Sequence, residues 1–260
     1  MRHPKLPEQH AVMLLSTSLY TDLSAYYDLM CSDINYQQQS QSVLRLHQLF
    51  GNGGKRHLDL ACGTGPHIAH FIRAGYQCTG LDLNQPMLEL ARARCPEAEF
   101  LLGDMSQFSL TQHVDLVTCF LYSIHYNASI ELLSRCIAQV HANLNQGGVF
   151  CFNVVDKDKI SNNDAVRQDA VHNGAHFVFE SGWFYQGQGE QQLLKLRISK
   201  TCSQHSQYWQ DSHSMVALNF GQLQALLAPW FDVHILAHNY DSIQRWDGEA
   251  GNALFVCVKR

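Results

Sequence analysis

Apolar positions along this chain follow two spacings that alternate with each other. Short apolar runs, typical of buried parallel strands, are separated by stretches whose apolar positions recur at helical spacing. This rhythm predicts an α/β fold with a doubly wound, Rossmann-like sheet and right-handed crossovers. Its seven predicted strands cover residues 57–62, 78–83, 99–102, 114–121, 149–155, 233–237 and 253–258.

The helical stretches lie before and between these strands. Residues 1–10 read as a polar tail, and the pattern from 12 to 50 is helical, with a distinct helix at 36–50 that Asn52-Gly53-Gly54 ends. Further helices are predicted, in chain order, at 66–74, 85–94, 130–144 and 220–230.

The rhythm changes after the fifth strand. Residues 156–173 are polar and predict a loop, whereas 176–217 show strand-like alternation around a Gly187–Glu190 turn and predict an inserted antiparallel sheet, or lid. We therefore divide the chain into amino-terminal covering helices (1–50), an α/β domain (51–155 and 218–260) and a lid (156–217) that we expect to face the substrate.

Composition excludes several classes of protein. Charged residues make up 16% and the net charge is −5 without a basic block, which predicts neither a nucleic-acid nor an anionic-membrane partner. No stretch approaches the roughly 20 apolar residues of a membrane helix. The nine cysteines are odd in number and lack a C-x-x-C pair. They indicate reduced thiols and a cytoplasmic location.

The most informative stretch is RHLDLACGTGPH, residues 56–67. An apolar strand leads into the Gly63-Thr64-Gly65 turn, and Pro66 stands where the first turn of a helix would begin. This arrangement opens the carboxyl edge of an α/β sheet to a nucleotide-like ligand. The dinucleotide pattern requires a third glycine three residues later, and this chain has Ile68 there.

Three acids lie at or near the carboxyl ends of consecutive predicted strands. They are Asp59, Asp82, which follows Gly65 by 17 residues, and Asp104. Because the carboxyl ends of parallel strands meet at one edge, we expect all three to line one crevice.

With these motifs, the sequence resembles the class I S-adenosylmethionine-dependent methyltransferases. Within that class it is most similar to small-molecule members with an inserted antiparallel sheet, such as sugar N,N-dimethyltransferases. The resemblance is carried by residues 58–65, Gly80-Leu81-Asp82-Leu83, Pro86-Met87-Leu88, Gly103-Asp104-Met105, Asn145-Gln146-Gly147-Gly148, Tyr20 with Tyr27-Asp28, and Asp33-Ile34-Asn35-Tyr36.

The resemblance implies S-adenosylmethionine as cofactor, S-adenosylhomocysteine as product and methyl transfer to a nitrogen or oxygen of a small molecule. It also implies roles for ten residues: backbone approach to the methionine part at Ala61 and Gly63, the ribose at Asp82, adenine packing at Leu83 and Met87, the adenine edge at Asp104 and Met105, closure over the methionine end at Tyr20 and Tyr36, and the methyl border at Leu121.

Elementary chemistry agrees with this ligand. It has no phosphate, so neither a basic cradle nor the third glycine is required, and its cationic sulfur suits acids and aromatic faces. In-line transfer depends on holding the reacting atoms in line and excluding water, and such positioning supplies about 7–11 kcal/mol. A dedicated catalytic residue is therefore optional.

Two residues after the fourth strand are catalytic candidates. His125 or Tyr126 could take or orient the proton of the acceptor, and the family pattern allows either position; alternatively, His125 only bonds backbone in a loop. Asp59 likewise contacts either the amino group of the cofactor or backbone amides of the glycine turn.

Other chemistry-bearing residues keep simpler alternatives. The aromatic residues of the lid line a substrate pocket or only pack against the sheet; they are Trp183, Phe184, Tyr185, Tyr208 and Trp209. Arg167, Tyr240, Arg245 and Trp246 are weaker pocket candidates. The histidine pairs His67/His70, His172/His176 and His234/His238 lack a carboxylate in ligand register, and we predict no metal site.

Three functions follow from these patterns. The first is a methyltransferase acting on a small molecule, as a monomer or homodimer. The second is an NAD(P)-dependent oxidoreductase using the same sheet edge, against which the missing third glycine and Asp104-Met105 argue. The third is a methyltransferase-like subunit that binds cofactor without turnover.

Overall fold

The computed structural model of this chain describes residues 19–20, 23–203 and 205–260. Within them, seven strands form one twisted sheet in the order β10-β11-β5-β4-β1-β2-β3. The first five strands of the chain are parallel to one another, and β11 is antiparallel to both of its neighbours. The predicted tail at 1–10 and the helical pattern at 12–18 lie outside the described residues.

The strands of this main sheet are β1 (Arg56–Leu60), β2 (Gln77–Asp82), β3 (Glu99–Leu102), β4 (Val114–Cys119), β5 (Leu144–Val155), β10 (Phe231–Ala237) and β11 (Asn252–Lys259). The helices are α1 (Tyr27–Met30), α2 (Tyr36–Phe50), α3 (Pro66–Arg73), α4 (Gln85–Arg94), α5 (Ile130–Asn143) and α6 (Phe220–Leu227). Short 3₁₀ turns occupy Ser24–Tyr26, Ser123–Tyr126 and Lys157–Lys159.

The predicted α/β class and seven-stranded sheet are confirmed, and the helices at 36–50 and 85–94 have the predicted bounds. Two strand ends differ. The fourth strand stops at Cys119 because Leu121 and Tyr122 adopt positive φ values of 55° and 61°, which no extended strand accommodates. The fifth begins earlier than predicted, since Gly147 at φ 70° is absorbed by a register shift against β4.

The lid is a separate four-stranded antiparallel sheet in the order β6-β7-β8-β9. Its strands are β6 (Val166–His172), β7 (Ala175–Tyr185), β8 (Gln191–Cys202) and β9 (His205–Val216). The predicted loop at 156–173 is therefore wrong over β6. This edge strand is mostly exposed and polar, which hides its alternation, but Asn173-Gly174 joins it to β7 with both residues at positive φ, as in a tight hairpin.

Apolar side chains pack on both faces of the main sheet. A third cluster joins the lid to the amino-terminal segment, where Leu19 and Leu23 pack against Phe177, Phe179 and neighbouring lid residues. The lid is thus anchored to the segment that precedes α1 as well as to the main sheet. This packing brings residues far apart in sequence to the carboxyl edge of the sheet.

The two ends of the lid segment meet beside the end of β5. Lys157 N donates to Leu218 O at 3.0 Å. The buried carboxylate of Asp156 accepts from Asp158 N at 2.9 Å and from Phe220 N, at the start of α6, at 3.1 Å. Asp156 therefore fixes where the chain leaves and re-enters the α/β domain.

Replacing Asp156 with alanine should lower the free energy of unfolding by about 1–3 kcal/mol, because the buried N–H of Phe220 loses its acceptor. Urea denaturation of wild type, Asp156→Ala and the exposed-loop control Asp164→Ala measures this. Equal stability of the two variants would contradict the role of Asp156.

Candidate active site

The glycine turn after β1 is shaped by three positive φ values. Ala61, Gly63 and Gly65 have φ of 51°, 55° and 77°, and a Cβ on Gly65 would lie 3.3 Å from the Ala91 side chain of α4. A residue other than glycine at position 61 in this conformation is strained, and such strain concentrates at functional sites. The turn leads directly into α3, which begins at Pro66.

Ile68 occupies the place of the third glycine of the dinucleotide pattern. It is fully buried, and a Cβ on Gly80 of β2 would come within 2.8 Å of its terminal methyl group. Helix α3 therefore packs on the sheet through a large side chain, and the glycine that permits close contact is on the strand. In dinucleotide sites a glycine on the helix permits this close packing, and α3 has no glycine at that position.

Asp82 connects the end of β2 to this turn. One carboxylate oxygen accepts from Gly63 N at 2.9 Å, and the other accepts from the backbone and side-chain nitrogens of Asn84 at 2.9 and 3.2 Å. Burial raises the pKa of this carboxyl group, and the backbone hydrogen bonds oppose that rise. Asp82 thus holds the turn in place while it faces the cavity beside it.

That cavity lies at the carboxyl ends of β1 to β4 and contains about 800 Å³ of space continuous with solvent. It is lined by Tyr20, Tyr27, Ala61, Gly63, Leu81, Asp82, Leu83, Asn84, Met87, Gly103, Asp104, Met105, Leu121, Ser123 and Tyr126. Nine of the ten predicted cofactor residues lie on it, all but Tyr36.

Tyr36 and Asp59 lie in a small recess that shares Tyr27, Ala61 and Leu121 with the cavity. The Tyr36 hydroxyl is buried without a hydrogen-bond partner in the described structure, so it can bond a ligand that enters the recess. Tyr36 is therefore placed next to the cavity and not on its wall.

Asp59 is buried and forms a polar chain with residues of β1 and β4. Its carboxylate accepts from the Thr118 hydroxyl at 2.6 Å, and that hydroxyl lies 2.7 Å from Nε2 of His57. Burial raises the pKa of Asp59 to about 7, and the nearby Asp82 adds to the rise. The Gly63 amide donates its hydrogen bond to Asp82 and not to Asp59. Asp59 instead accepts from Thr118, and it also borders the recess.

Sequence reasoning gave Tyr27 no role, although it lies on both the cavity and the recess. Tyr27 belongs to α1, which an ion pair between Asp28 and Arg94 of α4 holds over the cavity. Arg94 also donates to Thr64 O in the glycine turn at 2.7 Å. The concentration of aromatic residues in residues 19–30 was the available signal.

His125 does not line the cavity. Its Nδ1 donates to Val216 O at 2.9 Å and its Nε2 accepts from Val155 N at 3.1 Å, so the ring joins the last residues of β9 and β5. Burial lowers the pKa of His125 to about 4. A neutral ring with both nitrogens engaged is no proton acceptor, and the structure argues against the predicted base role of His125.

Tyr126, the other catalytic candidate, does line the cavity. Its hydroxyl lies 2.5 Å from the hydroxyl of Tyr20 and 2.5 Å from Nδ1 of His213, a lid residue. His213 was not among the residues predicted for the site. Nothing in its neighbourhood along β9 distinguishes it from the other histidines of the chain.

The aromatic residues of the lid pack against other side chains or are exposed to solvent. Trp209 packs with the cluster between the lid and the amino-terminal segment, and Trp183 contacts Tyr122 and His125. Tyr208 is exposed, and Lys195 lies over the ring of Phe184. None of these residues lines the cavity described above.

The histidine pairs have other neighbours. His67 bonds Gln39 at 2.9 Å, His238 bonds Tyr240 at 3.0 Å, and His176 lies 3.1 Å from Asp169. Among the described residues, no group of three or more His, Cys, Asp or Glu side chains converges as metal ligands would. Eight of the nine cysteines are buried.

Parts of this chain match known proteins. Residues 58–148 match a family model described as a methyltransferase domain. The chain is 38% identical over 92 residues to a dTDP-3-amino-3,4,6-trideoxy-alpha-D-glucopyranose N,N-dimethyltransferase of Streptomyces venezuelae, a match that covers 35% of this chain and 39% of that relative. The matched part thus spans about two fifths of the relative's length.

Solved structures match over a much larger part of the chain. DesVI of Streptomyces venezuelae has a TM-score of 0.80 at 23% identity, covering 92% of this chain and 99% of that one. CalS10 of Micromonospora echinaspora, an amino pentose methyltransferase solved with S-adenosylmethionine, has a TM-score of 0.77 at 20% identity, covering 94% and 100%. At these identities the likeness shows the fold.

No helix in the described part of the chain is long and apolar enough to cross a membrane. The residues of the cavity fit S-adenosylmethionine, because acids and tyrosines suit a cationic ligand. In the adjoining recess, the unpartnered Tyr36 hydroxyl can bond a polar group of the same ligand. Residues 58–148 therefore match a methyltransferase domain, and the chain has the fold of the class I S-adenosylmethionine-dependent methyltransferases.

Proposed function

We propose that this chain transfers a methyl group from S-adenosylmethionine to the amino nitrogen of a small molecule. The observation that supports it most is the charge of the cavity. Among the described residues that line it, the ionisable ones are carboxylic acids and tyrosines, without a lysine or arginine. Such a wall suits a cationic cofactor and an amine, whereas a carboxylate acceptor would require a cation.

In this proposal the carboxylate of Asp82 bonds the ribose hydroxyls. Asp104 and Met105 lie at the adenine edge, and Leu83 and Met87 pack against the ring. The backbone at Ala61 and Gly63 approaches the methionine part, whose polar groups meet Asp59 and Tyr36 in the recess. Tyr20 and Tyr27, with ring centroids 5.7 Å apart, present aromatic faces to the sulfonium.

When bound, the cofactor supplies an electrophilic methyl group on a cationic sulfur. The protein's contribution is to hold the nucleophile in line and to exclude water. Leu121 borders the cavity just after β4, and the cavity is also lined by Tyr20 and Tyr126, whose hydroxyls lie 2.5 Å apart. Burial raises the pKa of both phenols well above their usual range, so they remain protonated donors at neutral pH.

The names of the relatives support an amino sugar as acceptor, since those proteins are described as acting on amino sugars. The lid, residues 156–217, is proposed to face this acceptor, because β9 reaches Tyr126 through His213. We further propose a cytoplasmic enzyme that is a monomer or homodimer and binds no nucleic acid. Light scattering of the purified protein tests its assembly state. The oxidoreductase alternative finds no support in the comparisons.

A panel of matched acceptors tests the function. With purified enzyme and S-adenosylmethionine, a dTDP-linked amino-6-deoxyhexose should yield S-adenosylhomocysteine and a methylated amine by mass spectrometry. The matched sugar with a hydroxyl in place of the amino group, and trans-aconitate as a carboxylate probe, should remain unmethylated. Methylation of the hydroxyl sugar or the carboxylate in preference to the amine would overturn the proposal.

The role of Asp82 predicts a loss of cofactor affinity. Asp82→Ala removes charge-assisted hydrogen bonds worth about 1.5–3 kcal/mol each, so binding measured by calorimetry should weaken at least about tenfold. Asp247→Ala is the matched control, because Asp247 also accepts two backbone amides but lies in an exposed loop away from the cavity. An unchanged affinity of Asp82→Ala would remove Asp82 from the site.

The raised pKa of Asp59 predicts pH-dependent cofactor binding. Below its pKa of about 7 the free protein carries a neutral carboxyl group, which must lose its proton to pair with the cofactor's ammonium group. Affinity should therefore increase as pH rises from 6 to 8, with proton release on binding.

Calorimetry in buffers of different ionisation enthalpy measures that release. Asp59→Asn should abolish both the proton release and the pH dependence. The exposed control Glu89→Gln, on α4, should retain them. Equal proton release by wild type and Asp59→Asn would show that another group titrates.

A further inference from the structure

A continuous polar chain crosses three segments of the protein at one side of the cavity. Tyr20 comes from the amino-terminal segment, Tyr126 from the turn after β4, and His213 with Asp211 from strand β9 of the lid. The hydroxyls of Tyr20 and Tyr126 are 2.5 Å apart, and Nδ1 of His213 lies 2.5 Å from the Tyr126 hydroxyl. The other ring nitrogen of His213, Nε2, is 2.9 Å from Oδ2 of Asp211.

This series of polar side chains is shielded from solvent. The side chains of His213 and Asp211 are 10% and 22% exposed, and they share one face of β9 because they are two residues apart on a strand. The ring of His213 packs 5.3 Å from that of Tyr20 and 5.5 Å from that of Tyr126, measured between centroids. Neither His213 nor Asp211 lines the cavity itself, so Tyr126 stands between them and a ligand.

The direction of the hydrogen bonds follows from the charges. The Asp211 carboxylate favours a proton on Nε2, the ring nitrogen that faces it, which leaves a lone pair on Nδ1 to accept from the Tyr126 hydroxyl. The Tyr126 oxygen then accepts from Tyr20 and keeps one lone pair toward the cavity. This is the order carboxylate, imidazole and hydroxyl by which proteins activate a hydroxyl group.

We propose that His213 receives the proton that the acceptor amine loses during methyl transfer, by way of Tyr126, and that Asp211 stabilises the resulting imidazolium. The inference rests on the proposed function and names the residues that complete its proton path. Tyr126 is the residue that contacts the acceptor, and His213 and Asp211 act through it.

The step balances in atoms and charge. The carbon–sulfur bond breaks with its electron pair remaining on sulfur, and the nitrogen lone pair forms the new carbon–nitrogen bond. The nitrogen then gives a proton to the Tyr126 oxygen as the Tyr126 hydroxyl proton passes to Nδ1 of His213. The positive charge that began on sulfur ends on the imidazolium beside Asp211, and that proton later leaves to water.

Other groups near the cavity do not replace His213 in this role. The buried phenol of Tyr126 has a pKa well above its usual range and cannot retain the negative charge of a phenolate at neutral pH. His125 has both ring nitrogens bonded to backbone. In addition, Oδ2 of Asp211 is buried 2.9 Å from Nε2 without an in-line hydrogen bond, so its contribution to a charged ring is that of a nearby counter-charge.

The titratable groups facing His213 within the described residues come from each segment packed against it. They are Tyr20 from the amino-terminal segment, Tyr126 from the turn after β4 and Asp211 from its own strand. The lid also contains a comparable pair that lacks this setting. His176 lies 3.1 Å from Asp169, with both side chains nearly half exposed, and supplies a control.

The first experiment is independent of any acceptor. Nitrogen-15 NMR of histidine-labelled full-length protein, with His213 assigned through His213→Gln, should show a proton on Nε2 and none on Nδ1 in the neutral ring. Tyr126→Phe should shift the Nδ1 resonance by removing its donor and leave His176 unchanged. A neutral His213 with its proton on Nδ1, or no effect of Tyr126→Phe, would overturn the proposal.

The second experiment uses turnover of the dTDP-linked amino sugar. His213→Gln should lower kcat by about 100-fold, the usual size of general-base catalysis, while calorimetric affinity for S-adenosylmethionine stays within about twofold of wild type. Asp211→Asn should also lower kcat while the affinity for S-adenosylmethionine stays unchanged, because the imidazolium loses its counter-charge. His176→Gln should match wild type in both respects.

The outcomes separate this inference from the function on which it rests. An active wild type whose His213→Gln variant keeps the same kcat and pH profile contradicts the proton path alone. Binding of S-adenosylmethionine without methylation of the amino sugar contradicts the proposed function. A parallel loss of cofactor affinity and kcat in His213→Gln would assign His213 to packing and overturn its role as proton acceptor.

Discussion

The hydrogen bond from Gly63 N to the carboxylate of Asp82 is the interaction on which the site depends. It connects the turn after β1 to the end of β2, and it orients the same carboxylate toward the cavity. The same turn sets the start of α3. Its Thr64 carbonyl accepts from Arg94, and the ion pair between Arg94 and Asp28 holds α1 in place. One buried acceptor therefore connects the sheet edge, the cavity wall and the amino-terminal cover.

Electrostatics gives this edge its chemical character. Burial and the nearby Asp82 both raise the cost of ionising Asp59. The cavity wall adds tyrosines, without a lysine or arginine among the described residues. A cationic ligand relieves that cost because it pairs with the carboxylates in a site of low dielectric. The same wall would repel a phosphate, which agrees with the absence of the third glycine on α3.

The four-stranded sheet formed by β6 to β9 helps to position side chains next to the cavity. Strand β9 of the lid ends at Val216, whose carbonyl is fixed by His125, and this contact helps to position His213, three residues earlier, against Tyr126. His125 is thus a structural strut that supports the placement of another histidine. A family pattern that allows a histidine after β4 could not distinguish these two roles, because both rings have the same intrinsic chemistry and differ only in their neighbours.

The sequence by itself determined the parallel sheet, the glycine turn and the acids at the strand ends. These features depend on local periodicity and on the fact that neighbouring parallel strands end at one edge, so spacing alone brings Asp82 and Asp104 together. Nine of the ten residues predicted for the cofactor line one cavity in the structure. It missed β6, since an exposed edge strand needs no apolar alternation.

Only the tertiary structure decided which side chains meet across the cavity. Tyr20 and Tyr126 are 106 residues apart, and Tyr126 and His213 are 87 apart, in segments that belong to different layers of the fold. Whether Tyr36 lies on the cavity or in its recess, and whether His125 or His213 reaches Tyr126, depends on how the lid packs on the amino-terminal segment. That packing is a sum of long-range contacts, which no local spacing encodes.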